Sequence, residues 1–185
     1  HGYIKEWGME LIARDARIAT MYEGTTGIQA LDLLGRKVIL QSKGKIIRDY
    51  TSTIIRWCGE YALDKDMRKF VWALTKLCAE WNTLTVRLML IARKDREIIS
   101  AASDDFLMYS GYIMMGYHWA RMAAVAYEKL ESGGTESPEF YPAKIQTAEF
   151  FFDKILPRTS GHAESMVAPS ESMTSMQIDS FAFLD

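Results

Sequence analysis

Cysteine, proline and histidine are scarce in this 185-residue chain, at two, four and three residues. Cys58 and Cys78 each sit in an apolar stretch, so they make no disulfide framework and read as small buried hydrophobes. That usage suits a reducing, intracellular compartment. His1, His118 and His162 are too far apart in sequence to share metal-ligand spacing, so no metal site is expected. No apolar run approaches the roughly 20 residues that a membrane-spanning helix needs, and no secretory signal pattern opens the chain. Charge of one sign is missing too. With 22 Lys and Arg against 24 Asp and Glu the formal net charge is −2, which leaves no basic field to draw in nucleic acid or acidic lipid.

Hydrophobic residues, in contrast, make up 49% of the chain, with five Trp, eight Phe and nine Tyr, enough to build a sizeable core. Their spacing is helical nearly throughout, without strand alternation or a fixed-period repeat. A short helix is expected over Met9 to Met21. A second should start at an N-cap provided by Thr25 or Thr26, carry the stripe Ile28, Leu31, Leu34 and Val38, and end near Lys43-Gly44. A third covers 45–63 through Ile47, Tyr50, Ile54, Trp57 and Tyr61. Then come two long runs with alternating steps of three and four. Phe70, Leu74, Leu77, Trp81, Leu84, Leu88 and Ile91 form the first. Phe106, Tyr109, Ile113, Gly116, Ala120, Ala123, Tyr127 and Leu130 form the second, and the two predict a long antiparallel hairpin. Pro142 suits the first turn of a last helix that Pro157 stops. From residue 159 the Ser-, Met- and Glu-rich sequence reads as a loosely held tail, with Ile178 to Asp185 an apolar-acidic end that docks on a neighbouring surface. The expected fold is all-α, an antiparallel helical bundle.

Tyr22-Glu23-Gly24-Thr25-Thr26-Gly27-Ile28-Gln29 is the most informative stretch. It sets a carboxylate at the end of one helix and a hydroxyl-bearing, glycine-rich turn at the start of the next. Gly24 admits close approach of a ligand or another backbone, and the free N–H groups of the next helix suit an anion or a polarised oxygen. The plainer reading of the residues alone is a helix corner with an N-cap and a surface glutamate. Arg87, Arg93, Lys94 and Arg96 read as a solvated helix end, Arg14 and Arg17 as structural ion pairs, and His118 as a packed or surface residue.

Arg14-Asp15-Ala16-Arg17-Ile18 followed by Tyr22-Glu23-Gly24-Thr25 resembles the signature near the end of acyl-CoA dehydrogenases. Leu31-Asp32-Leu33 and Gly35-Arg36-Lys37 continue the likeness, and His1-Gly2-Tyr3 resembles the tail of that family's flavin-contacting glycine segment. Phe140-Tyr141-Pro142-Ala143-Lys144 and Ile155-Leu156-Pro157-Arg158 resemble the extra helical extension of a larger bacterial subgroup. The resemblance implies that residues 1–44 end the family's C-terminal helical domain, 45–158 form the extension and 159–185 the tail, all within a piece of a longer polypeptide. It implies FAD as cofactor, an acyl-CoA substrate, an electron-transferring flavoprotein as acceptor, a homodimer or homotetramer, and a bacterial cytoplasmic location. It also implies roles: Glu23 as catalytic base, Gly24 beside the substrate thioester, and Thr25, Thr26 and Gly27 against FAD. An acyl-CoA oxidase relative and a non-catalytic helical assembly module are the competing readings.

Overall fold

A computed structural model describes residues 2–19, 21, 25–134, 136–177 and 180. After a 3-10 turn (Lys5–Trp7) comes α1 (Glu10–Ala19). α2 (Thr26–Leu31) passes without a break into a π-helical stretch (Asp32–Gln41). α3 (Lys45–Glu60), α4 (Arg68–Ile91) and α5 (Ile98–Ser132) follow, joined by short loops. α6 (Phe140–Phe150) continues through a second π stretch (Phe151–Ile155) and a 3-10 turn (Leu156–Arg158) into α7 (Thr159–Ser165), and α8 (Glu171–Thr174) comes last. The chain forms the expected all-α antiparallel bundle, with no strand among the described residues.

The spine is α5, 35 residues and about 50 Å long. α2 with its π stretch, α4, α6 and α7 all pack against it. Small buried residues such as Ala102, Ser110, Gly116, Ala120 and Ala123 allow this many neighbours to come close. On α4 the expected seam residues Phe70, Leu74, Trp81, Leu84 and Leu88 are buried, while Leu77 and Ile91 flank them half-buried because Cys78 and Thr85 share the centre. On α5 the seam is buried from Phe106 to Ala123. Beyond it Tyr127 is half-buried against the core and Leu130 is exposed.

Trp81 anchors the core. Tyr50 and Tyr109 meet it edge-on, at 6.2 and 6.4 Å between ring centroids, and Phe106 lies tilted at 6.3 Å. The Tyr109 hydroxyl donates to Glu80 Oε2 at 2.8 Å, across the α4–α5 interface. Burial pushes the Tyr109 phenol up, and the same cause pushes the Cys78 thiol up to about 12. Both cysteines are free and buried, as their apolar contexts require.

The end of the chain departs from expectation. Residues 159–170 belong to the core rather than to a loose tail: Thr159, Ala163, Met166 and Ser170 are buried. His162 Nδ1 lies 2.7 Å from Asp105 Oδ1, with Tyr112 stacked on the imidazole. The Ser170 hydroxyl donates to Asp95 Oδ2 at 2.6 Å, while Asp95 Oδ1 accepts the backbone N–H of Glu97. The inward residues fall every three or four positions, so the polar ones between them dominate the composition and hid the helix. The expected docking of Ile178 to Asp185 falls, but for Ser180, outside the described residues.

Around Pro157 the helix widens before it turns. Proline offers no N–H to the carbonyl a turn earlier, and the Leu156 N–H reaches back five residues to the Phe151 carbonyl. The wider turn places both Phe151 and Phe152 in the core. The chain then resumes as α7, where a stop had been expected. Pro142 sits in the first turn of α6, which begins at Phe140.

Candidate active-site segment

The expectations for Glu23 and Gly24 lie outside the described residues, and those for Thr25, Thr26 and Gly27 lie within. Thr25 is the extended N-cap of α2 (φ −72°, ψ 159°), and its carbonyl accepts the Gln29 N–H at 3.2 Å. Its hydroxyl makes no capping bond, so the first-turn N–H groups have no side-chain acceptor from it. Thr25 and Thr26 are exposed. Gly27 is half-buried, yet a Cβ built there would meet nothing within 4 Å. Nothing that this chain packs against Gly27 demands a glycine.

Behind that turn the helix is firmly seated. Ala30, Leu34, Gly35 and Val38 face the core. A Cβ on Gly35 would come within 3.2 Å of Ile99 Cγ2, so the glycine sets how closely α5 approaches. This corrects the expected stripe: Leu34 and Val38 are buried, but Ile28 and Leu31 are exposed by 60% and 41%. The π stretch changes the angular step per residue, and the small Ala30 and Gly35 take the inner side. The helix closes where glycine was expected to close it, with Lys43 and Gly44 at φ 49° and 78° and the Gly44 N–H on the Val38 carbonyl at 2.8 Å. π-helical turns are uncommon and gather near functional sites.

Asp32 accepts from Arg36, one turn on, and from Lys37 Nζ at 3.0 Å. The Arg36 hydrogen bond, with Lys37 second, holds the Asp32 carboxyl down at about 2. A carboxyl depressed below its unfolded value stabilises the fold fully above that unfolded value and loses its contribution as pH falls through the folded one. The melting temperatures of the natural chain and of Asp32→Asn should therefore differ at pH 6 and converge between about pH 4 and pH 2. Melting followed by circular dichroism checks this.

The described residues on either side of positions 22–24 share a second property. α1 buries none of its residues, and Leu11, Ile12 and Ile18 stand open to solvent. Met9, Met21, Ile28 and Leu31 are exposed as well. Apolar exposure on this scale marks a surface that something covers. Arg87, Arg93, Lys94 and Arg96 are exposed at a helix end, and His118 is exposed on α5, as expected. The His162–Asp105 pair was missed, because only the fold brings α7 to α5. Among the described residues no group of three or more His, Cys, Asp or Glu is close enough to hold a metal ion, and no helix is long and apolar enough to cross a membrane.

Acyl-CoA dehydrogenases are the class of protein that this all-α chain matches. It is 34% identical over 173 residues to 3-methylmercaptopropionyl-CoA dehydrogenase of Ruegeria pomeroyi, covering 93% of this chain and 29% of that protein. It is 30% identical over 189 residues to the broad-specificity linear acyl-CoA dehydrogenase FadE5 of Mycobacterium tuberculosis, covering 98% of this chain and 30% of that one. A butyryl-CoA dehydrogenase of Syntrophomonas wolfei is 26% identical over 193 residues, at 98% and 30% coverage. The chain thus spans about 30% of the length of these relatives. The family model "Acetyl-CoA dehydrogenase C-terminal like" matches residues 46–177. The chain belongs to that family.

Proposed function

We propose that this chain is the C-terminal part of a longer flavin-dependent acyl-CoA dehydrogenase and carries its catalytic base, Glu23. One observation supports this above the others. Alignment to an acyl-CoA dehydrogenase runs over 98% of the chain, and so takes in Tyr22 to Gly27. The bare apolar side chains of α1 and α2 add to it, since they leave a surface for the remainder of the longer protein to cover. Residues 1–44 would then complete the catalytic domain, and residues from 45 on would form the extension.

In this reading the Glu23 carboxylate removes the proton α to the thioester carbonyl, and the β-hydrogen leaves as hydride, giving a 2-enoyl-CoA. The FAD, when bound, supplies the acceptor for that hydride. A site closed to water favours the neutral acid, which raises the carboxyl toward the working pH and makes it a better base there. The Glu23 N–H would donate to the thioester oxygen, where negative charge develops during proton removal. Gly24 leaves room for the thioester. The described residues fit a flavin: Thr25 and Thr26 are exposed at the start of α2 beside its first-turn N–H groups, and Gly27 leaves open space next to them.

Gly27→Ala separates fold from cofactor. Its φ is not positive and no neighbour is close, so alanine should leave the stability of the chain unchanged or raise it by up to about 1 kcal/mol of helix propensity, seen as an equal or higher melting temperature. In the longer enzyme the same change should weaken FAD binding about tenfold or more, read by flavin release on dilution. Unchanged FAD affinity would remove Gly27 from the cofactor surface.

The reading is tested by mixing the longer FAD-loaded protein anaerobically with butyryl-CoA or palmitoyl-CoA. Loss of flavin absorbance with formation of the 2-enoyl thioester is the expected result, and an unchanged spectrum with every acyl-CoA chain length contradicts it. An electron-transferring flavoprotein should reoxidise the enzyme, whereas peroxide formed in air would mark an oxidase. Assembly into homodimers or homotetramers and a bacterial cytoplasmic setting belong to the same proposal. The 185-residue chain alone is not expected to turn over.

A further inference from the structure

A groove of about 570 Å³ lies where the end of α3 and the start of α6 meet the C-terminal half of α5. Four rings line it, Trp57 and Tyr61 from the α3 side and Phe140 and Tyr141 from α6. Their neighbours hold them in place. Trp57 meets Tyr117 edge-on at 5.5 Å between ring centroids and lies 4.9 Å from Tyr61. A Cβ on Gly134 would run into the Tyr141 ring, so the glycine lets the loop after α5 lie against that ring. Small-molecule sites are of this size and build, largely aromatic and apolar with a few polar groups to orient the ligand. Here the polar groups are cations. Arg121, Lys144 and His118 line the groove, and no carboxylate does. The Arg121 guanidinium lies 5.6 Å from the Tyr117 centroid, and Lys144 Nζ lies 5.3 Å from that of Phe140. Neither cation is in an ion pair among the described residues. In a chain of net charge −2, cations thus gather without acids beside four rings.

We propose that this groove binds an adenine nucleotide, with the base against its rings and the phosphates on Arg121 and Lys144. Every base has a flat face that stacks on aromatic side chains. The planar Arg fork suits two phosphate oxygens at once, and Lys adds a compact point charge. Other anions use only part of the site. Inorganic phosphate leaves the rings without a partner, and a fatty carboxylate brings one charge and no flat face. A free nucleoside diphosphate and the nucleotide end of coenzyme A present the same groups, so they are two sources of one chemistry. The groove shares no lining residue with the turn at 22–27, and the inference stands apart from the catalytic reading.

Isothermal titration of the 185-residue chain with ADP, coenzyme A, adenosine, pyrophosphate and octanoate is the test. ADP is expected to bind with a Kd on the order of 100 μM, and adenosine and pyrophosphate about tenfold more weakly, since each lacks half of the contact. Arg121→Gln and Lys144→Gln should each weaken ADP about tenfold. Trp57→Leu should weaken ADP about tenfold and leave pyrophosphate within about twofold. If Trp57→Leu proves unfolded by circular dichroism, Phe140→Leu, at a ring 41% exposed, carries the same expectation. Coenzyme A bound about tenfold more tightly than ADP supports the site with the coenzyme as its source, and equal affinity supports it with a free nucleotide. Absence of binding by both at about 2 mM overturns the proposal. So does ADP binding that is indifferent to Arg121→Gln and Lys144→Gln, or octanoate that binds more tightly than ADP.

Discussion

Glu23→Gln in the longer enzyme should lower kcat roughly a thousandfold or more, the usual scale for losing a positioned general base. Glutamine keeps the shape and the hydrogen-bonding reach of the side chain but cannot take a proton. KM for the acyl-CoA should therefore change far less than kcat, since the lost interaction is made in the transition state. FAD content and melting temperature should stay as they are. Steady-state assays beside flavin absorbance and thermal melting read all three. Glu23→Gln with undiminished turnover would favour the reading in which this region serves assembly and the carboxylate is incidental.

Trp81→Ala should be the most damaging single change to the fold. The side chain is 2% exposed and sits among Tyr50, Phe106 and Tyr109. Removing a buried tryptophan leaves a large cavity and costs about 3–5 kcal/mol, against a typical total of about 5–15 kcal/mol for a domain. For a chain of this size that is a fall in melting temperature of roughly 10 °C or more. Trp81→Phe should cost much less. The indole N–H is buried with no hydrogen-bond partner among the described residues, and phenylalanine removes that unmet donor along with part of the volume. Denaturant melts of both variants would show the ordering. Equal losses would mean that the N–H is satisfied in solution, by water for example.

Much of this architecture could be read from spacing. The seams of α4 and α5 announce themselves because a narrow apolar stripe in steps of three and four has one low-energy use, packing against a neighbour. Their exact centre was less legible, since Cys78 and Thr85 share it with the larger residues. α7 was hidden, because Thr159, Ala163, Met166 and Ser170 are small or polar and become core only once α5 lies beneath them. Ile28 and Leu31 misled for the opposite reason. They are strongly apolar and helically spaced, yet the small Ala30 of α2 and Gly35 of the π stretch face the core instead, and the π stretch has no signature in composition.

The chemistry was legible only as a motif. Spacing places a carboxylate beside a glycine-rich helix start, which by itself fits a surface corner as well as a catalytic base. Family likeness turned it into a candidate, and the open space around Gly27 is the feature of this chain that fits a cofactor there. The bare apolar residues on α1 and α2 fit the same picture, in which the site is completed by polypeptide outside these 185 residues.

Deuterium uptake at C2 of an acyl-CoA is the most direct probe of Glu23, because it reads proton removal apart from hydride transfer. With the longer FAD-loaded enzyme held anaerobically in deuterated water with butyryl-CoA, mass spectrometry should find C2 labelled. With Glu23→Gln the label should fall to the level without enzyme. Labelling by that variant at the natural rate would mean that another group takes the proton.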